Sequence, residues 1–258
     1  MHYQAHAKVN IFLKIVGMRG AYHELLSRFV RVPRLFDTLW FEPKKSAVAF
    51  ELVGDFTCKL EENTLYKAYE ALCKQGFSQE VGAVMDTYAL HVTKVIPEGS
   101  GLGGGSSDSA TFLKMLNDTA HLKLTCKELM EIGSCVGADV AFFASEASSA
   151  NVSGIGEVVE TYQEDTLDIE VFTPEMACHT GKVYQTYREY FLQTMDKHQA
   201  QQMLLLPSIK LLEQFSKEEL NDLLAPARKL YPELSLYAKE GWFFSGSGSS
   251  FFRIKEEI

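Results

Sequence analysis

Five glycines fall within seven residues between Gly99 and Gly105, set between a strand-like segment and a run that reads as a helix. Tyr88 to Ile96 places Leu90, Val92 and Val95 among polar residues, the pattern of a half-buried strand. After the glycines, Ala110, Leu113, Leu116 and Ala120 recur at helical spacing, with Ser106, Ser107 and Asp108 as the expected N-caps. Glycine removes the side chain where a backbone must approach something closely or take a positive φ. At a helix start, unpaired N–H groups and the positive end of the helix dipole point the same way. The run therefore reads as an anion site, with the Ser106 and Ser107 hydroxyls as added donors. A flexible turn or a tight packing point is the competing reading.

Composition and context narrow the anion. Gly99, Gly101 and Gly104 satisfy G-x-G-x-x-G, but a dinucleotide fold places that motif early, in the first β-α turn of an alternating parallel sheet. Here the run is mid-chain and follows Pro97. A Walker A loop would end in Gly-Lys-Ser/Thr, and this run ends in Gly-Ser-Ser-Asp. Acidic residues outnumber basic ones, 34 to 25, which argues against a nucleic-acid partner that needs a concentrated basic face. A few N–H groups and one lysine still suffice for a phosphate. Five cysteines, at 58, 73, 126, 135 and 178, form no C-x-x-C pair and read as free thiols in a reducing compartment. No stretch approaches the ~20 apolar residues of a membrane span, and the first residues lack an apolar signal core. The expectation is a cytoplasmic protein with no membrane partner, a monomer or a homodimer.

Elsewhere, Val9, Ile11 and Leu13 alternate with Asn10, Phe12 and Lys14, and Gly17 to Tyr22 break that strand. Phe29 to Phe41 is extended, interrupted at Pro33. Asn63 starts a helix whose Leu65, Ala68, Tyr69, Leu72 and Cys73 share a face, with Gly76 suited to its C′ position. A helix around Leu129, Ile132 and Val136 ends at Gly137. Ile169 to Thr173 is strand-like, and Ser216 to Glu219 is a capping box ahead of Leu220, Leu223 and Leu224. Trp242 to Phe244 and Phe251 to Ile254 read as a strand pair. Mixed strands and helices without regular β-α-β alternation favour the α+β class.

Pro97-x-x-x-Gly101-Leu102-Gly103-Gly104-Gly105-Ser106-Ser107 resembles the second motif of the GHMP kinases, which include galactokinase, homoserine kinase and mevalonate kinase. Ala7 to Leu13 resembles the first motif and Ser245 to Ser250 the third, so the resemblance spans the chain. It implies a GHMP kinase fold. An N-terminal ribosomal-protein-S5-like ATP-binding domain would cover 1–160, and a C-terminal ferredoxin-like α/β sandwich on the substrate side 161–258. It implies ATP as phosphoryl donor, accompanied by Mg²⁺. The nucleotide would meet Asn63 and Pro97, Glu98, Gly99, Ser100, Gly101, Leu102, Gly103, Gly104, Gly105, Ser106 and Ser107. It further implies that Asp139 takes the proton of the attacking alcohol, with Lys8 beside it balancing charge.

Local segments resemble those members of the family whose acceptor is a cytidine-diphosphate sugar alcohol. They are Ala7 to Asn10, Gly17 followed by Tyr22 to Leu25, Glu62 to Ala68, Gly137 to Phe143, and Thr180 to Tyr184. By that resemblance, Tyr22 and Tyr184 sandwich a cytosine ring, His23 reads its edge, and Asn10 and Thr180 lie beside the polyol or its phosphates. Another small-molecule kinase of the same family, of homoserine or mevalonate type, is the alternative. Without the motifs, Lys8 would read as a solvated strand lysine, Asp139 as a turn or N-cap aspartate, and both tyrosines as packing residues. Ala141 stands where the family often has proline.

Overall fold

A computed structural model describes residues 1–192 and 196–255. It is an α+β protein with two sheets, whose chain divides into two compact units that interleave along the sequence. One unit comprises Met1–Ala7, Pro33–Ile96 and Gly104–Glu146; the other comprises Lys8–Val32, Pro97–Gly103 and Ala147–Ile258. Two long strands contribute to both: β1 (His2–Arg19) and its hairpin partner β2 (Tyr22–Pro43).

In the first unit, β2 pairs antiparallel with β4 (Tyr88–Thr93), from Thr38↔Thr93 to Pro43↔Tyr88, and the short β3 (Leu52–Val53) runs parallel to β4. Five helices complete it: α1 (Thr64–Leu72), α2 (Ser78–Thr87), α3 (Gly104–Thr119), α4 (Cys126–Ser134) and α5 (Val140–Ala144). Leu65, Ala68 and Leu72 bury the predicted α1 face, and Phe112, Leu113, Met115 and Leu116 bury that of α3. Asn63 caps α1 through its side-chain oxygen, and Gly76 takes φ 98° where α1 gives way to α2. The strand ending the approach to the glycines stops at Thr93, short of Ile96, and α4 stops before Val136.

In the second unit, Leu25–Val30 of β2 pair antiparallel with β5 (Ser149–Gly154), which pairs with β6 (Val158–Thr161). A separate sheet has the order β7 (Ile169–Phe172), β9 (Phe251–Ile254), β8 (Phe243–Phe244), as expected for the last two. The helices are α6 (Thr180–Tyr190), α7 (Lys197–Met203), α8 (Ser208–Gln214), α9 (Lys217–Leu220) and α10 (Leu224–Leu230). The capping box at Ser216 forms, but its helix ends at Leu220, so Leu223 and Leu224 do not ride on it. Leu13, Ile15, Val183, Tyr187, Leu223, Leu224 and Phe251 share one core cluster.

One strand expectation needs correction. Pro33 does not interrupt β2: it lies between the stretch paired to β5 and the stretch paired to β4, where neither ladder asks for its missing N–H. The polar alternates of β1 do not face water. Lys8, Asn10 and Lys14 are all buried, and Lys14 pairs with Asp222, which also accepts from Ile15 N. An alternating pattern reports two faces; it does not say that the polar face is wet.

Arg28 is the largest fully buried polar side chain. Its Nε donates to Asn151 (2.6 Å) and its Nη2 to the Leu204 carbonyl (2.8 Å), while its guanidinium lies 3.3 Å from the centre of the Tyr162 ring. Truncating it removes these bonds and the ring contact from a fully buried site and takes the guanidinium charge away from Glu164. Arg28→Ala is therefore expected to cost about 3–5 kcal/mol in urea unfolding, and a loss below about 1 kcal/mol would contradict this. Among the described residues, all five cysteines are free and no helix is long and apolar enough to cross a membrane.

Candidate phosphotransfer site

The glycine run enters the second unit as Pro97–Gly103 and the first as Gly104–Gly105. In the second unit, φ is positive at Gly99 (64°), Gly101 (77°) and Gly103 (74°), whereas Ser100 and Leu102 between them keep negative φ. Alternation of this kind curls successive N–H groups toward one side, the geometry of an anion-holding nest. Four consecutive carbonyls are held by separate partners. Gly99 O accepts from Cys178 N (3.0 Å), Ser100 O from Ser250 N (2.9 Å), Gly101 O from Ser245 Oγ (3.1 Å) and Leu102 O from Lys8 N (2.9 Å). In a planar trans peptide the next N–H points opposite the carbonyl. Fixing these carbonyls therefore aims the amides of Ser100, Gly101, Leu102 and Gly103 away from the partners that hold them. Pro97 and Glu98 are exposed, so the Glu98 carboxylate is not buried within the turn.

These partners bring the first and third motifs to the second. Asn10 N donates to Ser245 Oγ (3.4 Å), and a Cβ on Gly246 would meet Gly101 O and Asn10 Oδ1 at 3.1 and 3.3 Å. Asn221 secures the third motif by donating to the carbonyls of Phe244 and Gly246, both at 3.0 Å. Lys8 Nζ donates to Asn10 Oδ1 (2.6 Å) and lies over the Phe29 ring, while Asn10 Nδ2 donates to Ser27 Oγ (3.0 Å). Asn10 thus has its amide oxygen toward the lysine and its amide nitrogen toward the core.

The same unit holds an aromatic corner. His23 packs against Tyr184 with ring centres 5.1 Å apart, and edge-on against Tyr187. Burial, and then the charge of Arg188, hold the His23 imidazole below its ordinary range, so the ring is neutral at neutral pH. Its Nε2 is buried and without a hydrogen-bond partner among the described residues. Tyr22, next to it, is 65 % exposed, unusual for a tyrosine that only packs. Arg188 donates to the Ala21 carbonyl, tying α6 to the turn that carries Tyr22. Thr180, which opens α6, shares a hydrogen bond with Ser247 Oγ (2.9 Å).

In the first unit, α3 starts at Gly104, so Ser106, Ser107 and Asp108 are not its caps: they lie inside its first turns. Only glycines precede them, and Gly104 and Gly105 accept helical backbone angles once Gly103 has turned the chain. The Asp108 carboxylate goes instead to Lys94 (2.6 Å). Burial first, and then Asp37, push the Asp108 carboxyl up to about 7, against the opposing pull of Lys94. The N–H groups of the first α3 turn have no intrahelical acceptors. Thr64 Oγ1 donates to Gly105 O (3.0 Å), which sets the Asn63 end of α1 beside that turn. The Asn63 oxygen caps Leu65 N (2.9 Å). Asp139 is half-buried at the residue before α5, and its carboxylate makes no cap bond to that helix. A Cβ on Gly137 would lie 3.9 Å from Ser106 Oγ, so the segment carrying Asp139 runs beside the first turn of α3.

Sequence reasoning did not single out Asp37, Lys94, Ser245, Ser247, Asn221 or Arg188. Only the Ser/Gly-rich third motif carried any signal for these, and it gave no roles.

Residues 63–147 match the GHMP kinases N terminal domain. The chain is 55% identical over 258 residues to the 4-diphosphocytidyl-2-C-methyl-D-erythritol kinase of Sulfurimonas denitrificans, covering 99% of this chain and 97% of that protein. A crystal structure of 4-(cytidine 5'-diphospho)-2C-methyl-D-erythritol kinase aligns with a TM-score of 0.70 and 29% identity, covering 99% of this chain and 90% of that one. A mevalonate kinase crystal structure aligns at TM-score 0.61 with 12% identity, a likeness of fold alone, over 99% of this chain and 91% of that one.

Proposed function

The chain belongs to the 4-diphosphocytidyl-2-C-methyl-D-erythritol kinase family, and from that premise we propose that it moves the γ-phosphate of ATP onto the 2-hydroxyl of 4-diphosphocytidyl-2-C-methyl-D-erythritol. The products are the 2-phosphate and ADP, a step in non-mevalonate isoprenoid precursor synthesis. The observation that carries the reading is the Gly99–Gly103 nest, with φ signs alternating and its carbonyls held by Lys8 and the third motif.

An alcohol is a poor nucleophile at neutral pH, so attack on phosphorus gains from a base within reach of its proton. Asp139 takes that part. Lys8 balances the charge that grows on the attacking oxygen and the transferring phosphoryl group. Asn10 orients the lysine through its amide oxygen. The nest and the start of α3, with Asn63 near it, hold the triphosphate from Pro97 to Ser107. Among the described residues, no group of three or more His, Cys, Asp or Glu could hold a metal. Mg²⁺ then fits as an ion carried in on the phosphates, where it would neutralise their charge. On the acceptor side, Tyr22 and Tyr184 stack on cytosine and the neutral His23 reads its edge. Thr180 lies by the polyol.

Residues 1–160 as the nucleotide side, which also lends Tyr22 and His23 to the acceptor, 161–258 as the substrate side, and a cytoplasmic location belong to the same proposal. A coupled ADP-release assay over a panel of alcohols tests it. The cytidyl methylerythritol is expected to exceed homoserine and mevalonate by at least about 10³-fold in kcat/KM. Comparable turnover of either rival would overturn the substrate.

A further inference from the structure

In the first unit, Lys94 sits between two buried carboxylates, Asp37 on β2 and Asp108 in α3. Asp37 is fully buried and does more than pair: its Oδ1 accepts from Val95 N (2.5 Å) and Ile96 N (2.8 Å), the last two residues before Pro97. Asp108 belongs to the helix that begins at Gly104. The two roots of the glycine run, Ile96 and Gly104, are packed so closely that a Cβ on Gly104 would lie 2.9 Å from Ile96 Cγ2 and 3.6 Å from Asp37 Oδ2. Burying two carboxylates and one ammonium is expensive, and the same packing could have been made by apolar side chains. A buried charge cluster fixes geometry through directed bonds in a way that apolar contacts do not.

We propose that Asp37, Lys94 and Asp108 form a positioning clamp that fixes the spacing of the two roots of the glycine run, and so sets the affinity for ATP without touching the reacting groups. The clamp rests on the kinase reading for its purpose, since what the run holds is the nucleotide. Asp37 holds the entering root by two backbone bonds. Asp108 holds the leaving root as part of the helix. Lys94 joins them, its ammonium donating to both acids.

Three variants test this by calorimetric titration with MgATP, steady-state kinetics, and amide hydrogen exchange of the nucleotide-free protein at Ile96 and Gly104–Ser107. Lys94→Met should weaken ATP binding about tenfold and speed exchange at those amides, with kcat at saturating ATP and acceptor KM within about twofold. Lys94→Arg, which can still bridge two carboxylates, should restore ATP affinity to within about threefold of wild type. Asp108→Ala, which leaves the Lys94–Asp37 pair intact, should shift exchange at Gly104–Ser107 and ATP affinity in the same direction by a smaller factor. It decides the matter if Lys94→Met does not fold.

A lysine that touched nucleotide directly would weaken binding while leaving exchange in the nucleotide-free protein unchanged, and that result overturns the clamp. So does unchanged ATP affinity in Lys94→Met, or in Asp108→Ala if it stands alone. Should the wild-type protein fail to phosphorylate the cytidyl alcohol, the acceptor assignment falls, while calorimetry and exchange still decide the clamp.

Discussion

Asp139→Asn is expected to lower kcat by about 10²–10⁴-fold while the KM for ATP stays within about threefold. The amide has nearly the shape of the carboxylate, so packing before α5 should survive. The Asp139 backbone is already helical (φ −74°, ψ −11°), and its side chain makes no cap bond that asparagine would have to replace. What the amide cannot do is accept the proton of the acceptor hydroxyl. Removal of a positioned base costs the transition state more than the ground state, so the loss should fall on kcat. Circular dichroism and ATP titration would verify that the variant is folded and nucleotide-competent. Turnover within about fivefold of wild type would remove Asp139 from the proposed chemistry.

Gly101→Ala is expected to raise the KM for ATP by about 100-fold or more, because the residue is constrained twice. Its φ of 77° lies in the region where a Cβ costs roughly 1–2 kcal/mol in strain. A Cβ there would also collide with the Ser245 carbonyl and meet Gly248 N and O at 3.0 and 3.1 Å. All three are backbone atoms, so no rotamer change relieves the contact. Relief requires the turn to lift away from the third motif, which breaks the carbonyl bonds that aim the amides. Gly82→Ala is the contrasting control. Gly82 is a helical residue whose Cβ would meet only Tyr69 Oη at 3.9 Å, and the substitution should stabilise by up to about 1 kcal/mol. Wild-type ATP affinity in Gly101→Ala would mean that the glycine geometry is not what binds phosphate.

Much of the fold was legible because its signals are local. Asn63 before a 3.6-residue apolar period gave the start of α1, and Ser216 with Glu219 gave a capping box, both formed as read. Glycine density between a strand and a helix gave the turn. The failures share a cause: each depended on residues distant in the chain. Ser106–Asp108 look like caps, but Lys94 draws Asp108 away and the helix begins earlier. Pro33 looks like a break until β5 and β4 are known to change over along β2 at that point.

By itself, the sequence determined where a backbone could come within hydrogen-bond reach of a phosphate, because glycine takes alternating φ without the strain of a Cβ, and it determined the family through three ordered motifs. Tertiary structure alone decided which way those amides face, because their orientation is imposed by Lys8, Cys178, Ser245 and Ser250 acting on consecutive carbonyls. It also decided that the polar face of β1 is dry, since alternation along a strand is the same whether that face meets water or a buried acid. The physical reason is common to both: hydrogen bonds between residues more than 70 positions apart leave no periodicity in the chain that makes them.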